Sequence, residues 1–439
     1  MLKSGFWKLA APCLLIIAAT LATPSIAGDD VADVVLGQPD FLHNLPNFPD
    51  QYALYYPFAV TIDASTTPNR LYVADDSNSR VLGWNDVTTF ANGAPADLVI
   101  GQPDFYSNAC NTGGVSGSSL CYPYGITVDA SGNLYVADYV NSRVLEYNTP
   151  FAGCGSFPCV GGSANMVFGQ GGIFTSNTAN NGGVSANSLN EPFGVAVDSI
   201  GNLYVADDGN SRLLEYNTPL KTGTSANLVL GQPDFISSTC NNGGGTSASS
   251  LCTPYGVTVD SSGNLYVADY GNSRVLEYNT PLTTDTTADR VFGQDDSFSS
   301  SDCNFGATSA SAHSLCSPSG VAVDASGDLY VADTSNNRVL KYNPPFATNP
   351  IADVALGQAN LTYNAANFPD AQKLDSPQGV AIDASTTPNR LYVADVQNSR
   401  VLGWKDVTAF TNGASADLVI GQPDPYSTAC NSDTGGGNP

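Results

Sequence analysis

The stretch Pro123–Tyr147, PYGITVDASGNLYVADYVNSRVLEY, decides the fold. Its GITVD stands where the copies from Pro192 and Pro318 have Gly-Val-Ala-Val-Asp, which alternates small and β-branched residues; Ser131-Gly132-Asn133 then supplies a turn, and Leu134–Asp138 resumes the strand pattern. A second turn around Asn141-Ser142 leads into a third strand, Arg143–Tyr147. The same order recurs in copies that begin at Pro57, Pro192, Pro254, Pro318 and Pro377. The last Asp of each Tyr-Val-Ala-Asp falls at Asp75, Asp138, Asp207, Asp269, Asp333 and Asp395, with gaps of 63, 69, 62, 64 and 62 residues. So steady a period is the mark of a repeat architecture. A fourth strand is expected at Ala226–Gln232, ANLVLGQ, and its equivalents. Four antiparallel strands make one twisted blade, which cannot bury both faces alone. Six blades packed in a ring bury each against its neighbours. The expected fold is therefore all-β, a six-bladed β-propeller of four-stranded antiparallel blades. Tyr135, Val136, Val144 and Leu145 and their equivalents should fill the blade cores.

The elements Pro-x-Gly-Val-Ala-Val-Asp, Leu-Tyr-Val-Ala-Asp and Asn-x-Arg resemble the NHL repeat, and they recur in order from Pro57 to Trp404. Blade one departs slightly, with Ala59 where the other copies carry Gly, and blades one and six lengthen the first turn to Ala-Ser-Thr-Thr-Pro-Asn-Arg. The period of about 63 residues also exceeds the roughly 40 to 50 of common propeller repeats. The excess lies between Gly-Gln and the next Pro-x-Gly. In propellers resembling this one, that connection and the turn between strands two and three emerge on the same face. The resemblance thus implies one loop-bearing face, the expected recognition surface, since binding residues favour loops on a rigid scaffold.

Composition agrees with many short strands. Charged residues are 13% of the chain, Gly (43) and Pro (27) are abundant, and Glu occurs only at Glu146, Glu191, Glu215 and Glu277. Long helices are disfavoured. Residues 1–27 read as an export signal: Lys3 and Lys8 precede an apolar run, Leu9–Ala22, and Ser25-Ile26-Ala27 offers a cleavage site. Pro12 breaks that run and does not fit a lipobox before Cys13, and no later segment is long and apolar enough to span a bilayer. The propeller is expected over residues 28–424, with a Gly-rich tail at 425–439, in a secreted, periplasmic or envelope protein. Cleavage removes two lysines and shifts the formal net charge from −25 to −27. Such a surface repels phosphate backbones and anionic lipids, which excludes nucleic acid as a partner. Cations, basic proteins or neutral glycans fit better, although acidity also serves solubility alone. An extracellular or envelope protein or glycan is the expected partner; the oligomeric state stays open.

Nine cysteines follow the signal, in an exported chain where pairing is expected. Cys110 with Cys121, Cys240 with Cys252, and Cys303 with Cys316 occupy equivalent loop positions, and Cys154 with Cys159 forms a fourth local pair. Metal ligation is the rival reading, but spacings of 11 to 13 residues without nearby His make poor zinc motifs. Cys430 is left over, aligned with Cys110.

The recurring acid–base pairs are Asp75 and Arg80, Asp138 and Arg143, Asp207 and Arg212, Asp269 and Arg274, Asp333 and Arg338, and Asp395 and Arg400. A motif present in all six blades is expected to brace turns rather than form six active sites. Six-bladed relatives include lactonases, strictosidine-synthase-like proteins and an amidating lyase, whose chemistry gathers ligands around an axial metal. The innermost strands here offer Thr61, Thr127, Ala196, Thr258, Ala322 and Ala381, none of them a base, and the only histidines are His43 and His313. No catalytic or metal-binding residues are assigned, and no cofactor is expected. Calcium remains open through Asp40, Asp104, Asp234 and Asp424 after Gly-Gln-Pro and through Asp295-Asp296, although turn capping accounts for them as well. A binding or scaffolding module is the expected function; the alternative is a calcium-dependent hydrolase, lactonase or lyase. Gly-Gln strand ends occur seven times for six blades, so Ala32–Gln38 and Ala416–Gln422 compete to complete the sixth. The C-terminal segment is expected there, because its closing loop is short.

Overall fold

The computed structural model describes residues 49–51, 54–86, 95–279 and 286–420, save 345, 347, 349, 367–369, 385–386 and 399. Six sheets built on antiparallel strands follow one another along the chain. Blade two is representative, with strands Pro123–Val128, Leu134–Asp138, Arg143–Tyr147 and Met166–Phe168. The inner strands of the others are Pro57–Asp63, Pro192–Val197, Pro254–Val259, Pro318–Val323 and Pro377–Asp383. Among the described residues the only helical segments are short 3-10 turns of three or four residues, such as Asp208–Asn210.

Hydrophobic burial lies between blades, as the repeat requires. One cluster joins Ala196, Tyr204 and Leu213 of blade three to Val257, Leu265 and Leu276 of blade four. Tyr135, Val136, Val144 and Leu145 are buried as expected. The glycine of Pro-x-Gly lets inner strands approach each other around the axis. A Cβ on Gly256 would stand 3.2 Å from the Gly320 Cα, and one on Gly379 would stand 2.8 Å from the Phe58 carbonyl oxygen. The second of these contacts joins blade six to blade one, so the ring is closed.

Closure uses the C-terminal strand. Leu418–Ile420 pairs antiparallel with Arg400–Trp404 and completes blade six. Ala32–Gln38 lies outside the described residues. Blade one departs from four strands: Cys159–Val160 adds a fifth, parallel to Leu98–Ile100. The connection between the last two strands of blade two reaches back, and the Cys159 and Gly161 amides donate to the carbonyls of Asp97 and Val99 at 2.8 and 2.7 Å. An edge that would stand open is thereby covered.

Candidate recognition face

The Asp–Arg pairs build the platform. In blade four, Asp269 Oδ2 accepts from Arg274 Nε and Asn272 Nδ2, both at 2.7 Å, and its Oδ1 accepts from the Cys252 amide. Arg274 donates onward to the carbonyls of Ser247, Ser250 and Phe298. One guanidinium thus ties its own turn to the inter-blade loops on either side. Arg143, Arg212 and Arg338 repeat the arrangement with Asp138, Asp207 and Asp333, each pair at 2.7 Å and fully buried. Arg80 does so with Asp75 and the Phe105 carbonyl. Asp395 accepts from Asn398 and the Asp375 amide; the Arg400 side chain lies outside the described set. Burial pushes Asp75, Asp138, Asp207, Asp269 and Asp333 up while the paired arginine opposes it. A charge pair so enclosed and so fully bonded is scaffolding.

The same bonds put loops and turns on one face. At the end of the outer strand, Gln294 Nε2 donates to the Ser273 carbonyl in the turn between strands two and three, and Gln170 and Gln232 do the same with Ser142 and Ser211. Disulfides Cys110–Cys121, Cys240–Cys252 and Cys303–Cys316 staple these loops, with Cα separations of 4.4 to 4.5 Å. Cys154–Cys159 staples the connection between the third and fourth strands of blade two, which runs on the opposite side. Asp104 and Asp234 each accept two backbone N–H bonds in exposed loop turns; the Tyr106 amide and the Ser107 side chain hold the Asp104 carboxyl below the usual range, and the Ser237 side chain and the Ile236 amide do so for Asp234. His313 Nδ1 stands 3.5 Å from Asp295 Oδ1. Among the described residues no three His, Cys, Asp or Glu side chains gather as a metal site. His43, Asp40, Asp424 and Cys430 lie outside those residues.

At the centre of this face the repeats stop being alike. The variable residue of Pro-x-Gly is Phe58, Tyr124, Phe193, Tyr255, Ser319 and Gln378 around the ring. The residue after Tyr-Val-Ala-Asp is Asp76, Tyr139, Asp208, Tyr270, Thr334 and Val396. Four successive blades therefore present an aromatic crescent. Phe58 stacks on Tyr124 at 4.4 Å, Phe193 on Tyr255 at 3.8 Å, and Tyr255 on Tyr270 at 4.1 Å. Tyr124 and Phe193, at 4.9 Å, join the pairs into one array. Blade five fills the same two positions with a hydroxyl pair, Ser319 and Thr334, at 2.7 Å.

Two carboxylates sit in this crescent. Asp76 and Asp208 are 7% and 8% exposed, and among the described residues the buried Oδ1 of each has no donor. Burial pushes both carboxyls up to about 7. The field of Asp208 reaches the phenols of Tyr124, Tyr139 and Tyr255, all pushed up mainly by burial, and that of Asp76 also reaches Tyr124. Below the crescent the axis opens into a cavity of about 110 Å³ lined by Phe58, Phe193, Ser319 and Gln378. A second, of about 260 Å³, is ringed by Thr61, Thr127, Ala196, Thr258, Ala322 and Ala381. Sequence reasoning missed the crescent because it sought what the copies share. Its signal was the residue written as x, compared across the six copies.

This fold and face define a six-bladed propeller with one elaborated end. A family model for the NHL repeat matches residues 120–147, 251–278 and 315–342, in blades two, four and five. The chain thus carries NHL repeats within a six-bladed β-propeller. Comparison with curated proteins finds no match. Among solved structures, an auxiliary nutrient binding protein from Bacteroides ovatus is 12% identical over 84% of this chain and 75% of its own, with a TM-score of 0.49. Virginiamycin B lyase from Staphylococcus aureus is 10% identical over 89% and 88%, with a TM-score of 0.45. A chain of a nidogen/laminin complex is 15% identical over 80% and 97%, also at 0.45. Likenesses this distant say nothing of what the present chain binds. Among the described residues no helix is long and apolar enough to cross a membrane.

Proposed function

We propose that this chain is an exported binding module that recognises an extracellular or envelope protein or glycan through its loop-bearing face. One observation carries the reading: three of the four stapled loops and the departures from repetition at the axial mouth gather on the same face. Buried Asp–Arg clasps hold those loops to the blades, so little ordering entropy is lost when a partner docks. Four disulfides accord with an oxidising compartment. The loop tips also expose apolar side chains at equivalent positions, Tyr106 at 73% and Ile236 at 72%. Capture from the culture medium or envelope fraction, with the full chain as bait, tests the proposal. The wild-type chain is expected to retain a partner that the double variant Tyr106→Ser/Ile236→Ser retains poorly. Capture untouched by any change on this face, yet lost on changing the opposite one, would overturn the assignment.

A further inference from the structure

We propose that the axial mouth seats a cationic side chain, lysine or arginine, of a protein partner, against the carboxylates of Asp76 and Asp208 and the crescent of Phe58, Tyr124, Phe193 and Tyr255. The inference rests on the binding-module reading and names what its central site takes.

The fold does not require these carboxylates. The equivalent position is Tyr139, Tyr270, Thr334 or Val396 in the other blades, and those blades form the same turn. Among the described residues neither acid has a counter-ion or a full set of donors. Asp138, by contrast, has Arg143, Asn141 and the Cys121 amide arranged around it. Among the described residues Asp76 has the Ser77 hydroxyl at 3.2 Å on one oxygen, and the Oδ1 atoms of Asp76 and Asp208 have no donor. The charges acting on them are other carboxylates: Asp75 on Asp76, and Glu191 and Asp207 on Asp208. A buried negative charge without donor or counter-ion is a standing cost, and an arriving N–H cation supplies both.

The aromatic array decides between a cation and a sugar. Glycans bind by laying a ring face on an exposed aromatic face. Here the faces are spent on one another, with Phe193 and Tyr255 only 11° from parallel. The array instead forms an apolar wall that keeps water from the charge pair and strengthens it. Net charge agrees in sign, at −25 for the whole chain. It also predicts weak attraction of any cation, which the test must separate from a seat.

The probe is N-acetyl-tetraarginine amide, titrated calorimetrically at physiological salt into the purified full chain. Asp76→Asn/Asp208→Asn preserves shape and should weaken binding by about tenfold or more, the worth of one charge-assisted bond to a buried group. Asp289→Asn/Asp353→Asn removes the same charge on the opposite face, where blades two and three already carry Asn165 and Asn227 as the equivalent bonding partner. That variant should stay within twofold of wild type. Equal weakening in both variants, or no measurable binding by the wild type, would overturn the seat. Binding of neutral chitotetraose in place of the peptide, indifferent to Asp76 and Asp208, would overturn it in favour of a glycan. The capture experiment fails separately: capture dependent on Tyr106 and Ile236 but indifferent to Asp76 and Asp208 keeps the binding module and removes the cation seat.

Discussion

Asp207 and Asp208 are adjacent, and both are buried. Asp207 meets Arg212, Asn210 and the Asn190 amide, so its charge is answered within the fold. Among the described residues Asp208 Oδ1 has no donor, and this difference has a measurable sign. Its carboxyl is pushed up to about 7 by burial and by Glu191 and Asp207, and Asp76 is pushed equally far. In the unfolded chain both return to about 4. Between those values the native state holds protons that the unfolded state has released, so stability falls as pH rises from about 4 to 7. Asp208→Asn should therefore stabilise the protein at pH 8, by roughly 2 kcal/mol once burial of the new amide is allowed for. The gain should vanish by about pH 4. Denaturant titrations at the two pH values check this, and a variant less stable than wild type at pH 8 would reveal a native partner for the carboxylate. The sequence made the role of Asp207 legible, because its equivalents recur six times. It hid that of Asp208, because a residue that varies between copies looks dispensable.

Strands and turns were legible for the same reason: period-2 alternation and turn residues repeat at fixed offsets, and inter-blade packing then leaves one arrangement. The fifth strand of blade one was not. A two-residue parallel pairing, Leu98–Val99 with Cys159–Val160, has no periodic pattern and depends on a neighbouring blade's loop reaching back. Closure of the ring could be argued from loop length, and the consequence can be tested. The segment ending in Leu418–Ile420 does more than pair with its own blade. The Gly413 and Ala416 amides donate to the carbonyls of Ala355 and Ala371, and Asn412 accepts from the Ala355 amide. Trp404 Nε1 donates to the Ala414 carbonyl. Deleting residues 416–439 should expose the buried Leu402 and Trp404 and abolish the cooperative thermal transition. Deleting residues 28–38 should leave that transition within a few degrees of wild type. The reverse result would mean that the ring is closed from the N-terminal side.

At the scale of the whole molecule, two electrostatic layers separate in kinetics. The net charge of −25 is spread over a large surface and acts at a distance, so it governs encounter. Asp76 and Asp208 lie behind the rim in an apolar setting and act on contact, so they govern release. Surface charge is screened beyond about 8 Å at physiological ionic strength, whereas a desolvated pair is screened far less. For a basic partner, raising salt from about 0.05 to 0.5 M should slow association by an order of magnitude or more and change dissociation only slightly. Asp289→Asn/Asp353→Asn should reproduce the effect of salt in miniature, with a small fall in association rate alone. Asp76→Asn/Asp208→Asn should leave association nearly intact and raise the dissociation rate about tenfold or more. Surface plasmon resonance on immobilised wild type and the two variants reads both rates directly. If the mouth variant slowed association and spared dissociation, its carboxylates would belong to the general acidic field, and the centre of the face would be no more than its apolar floor.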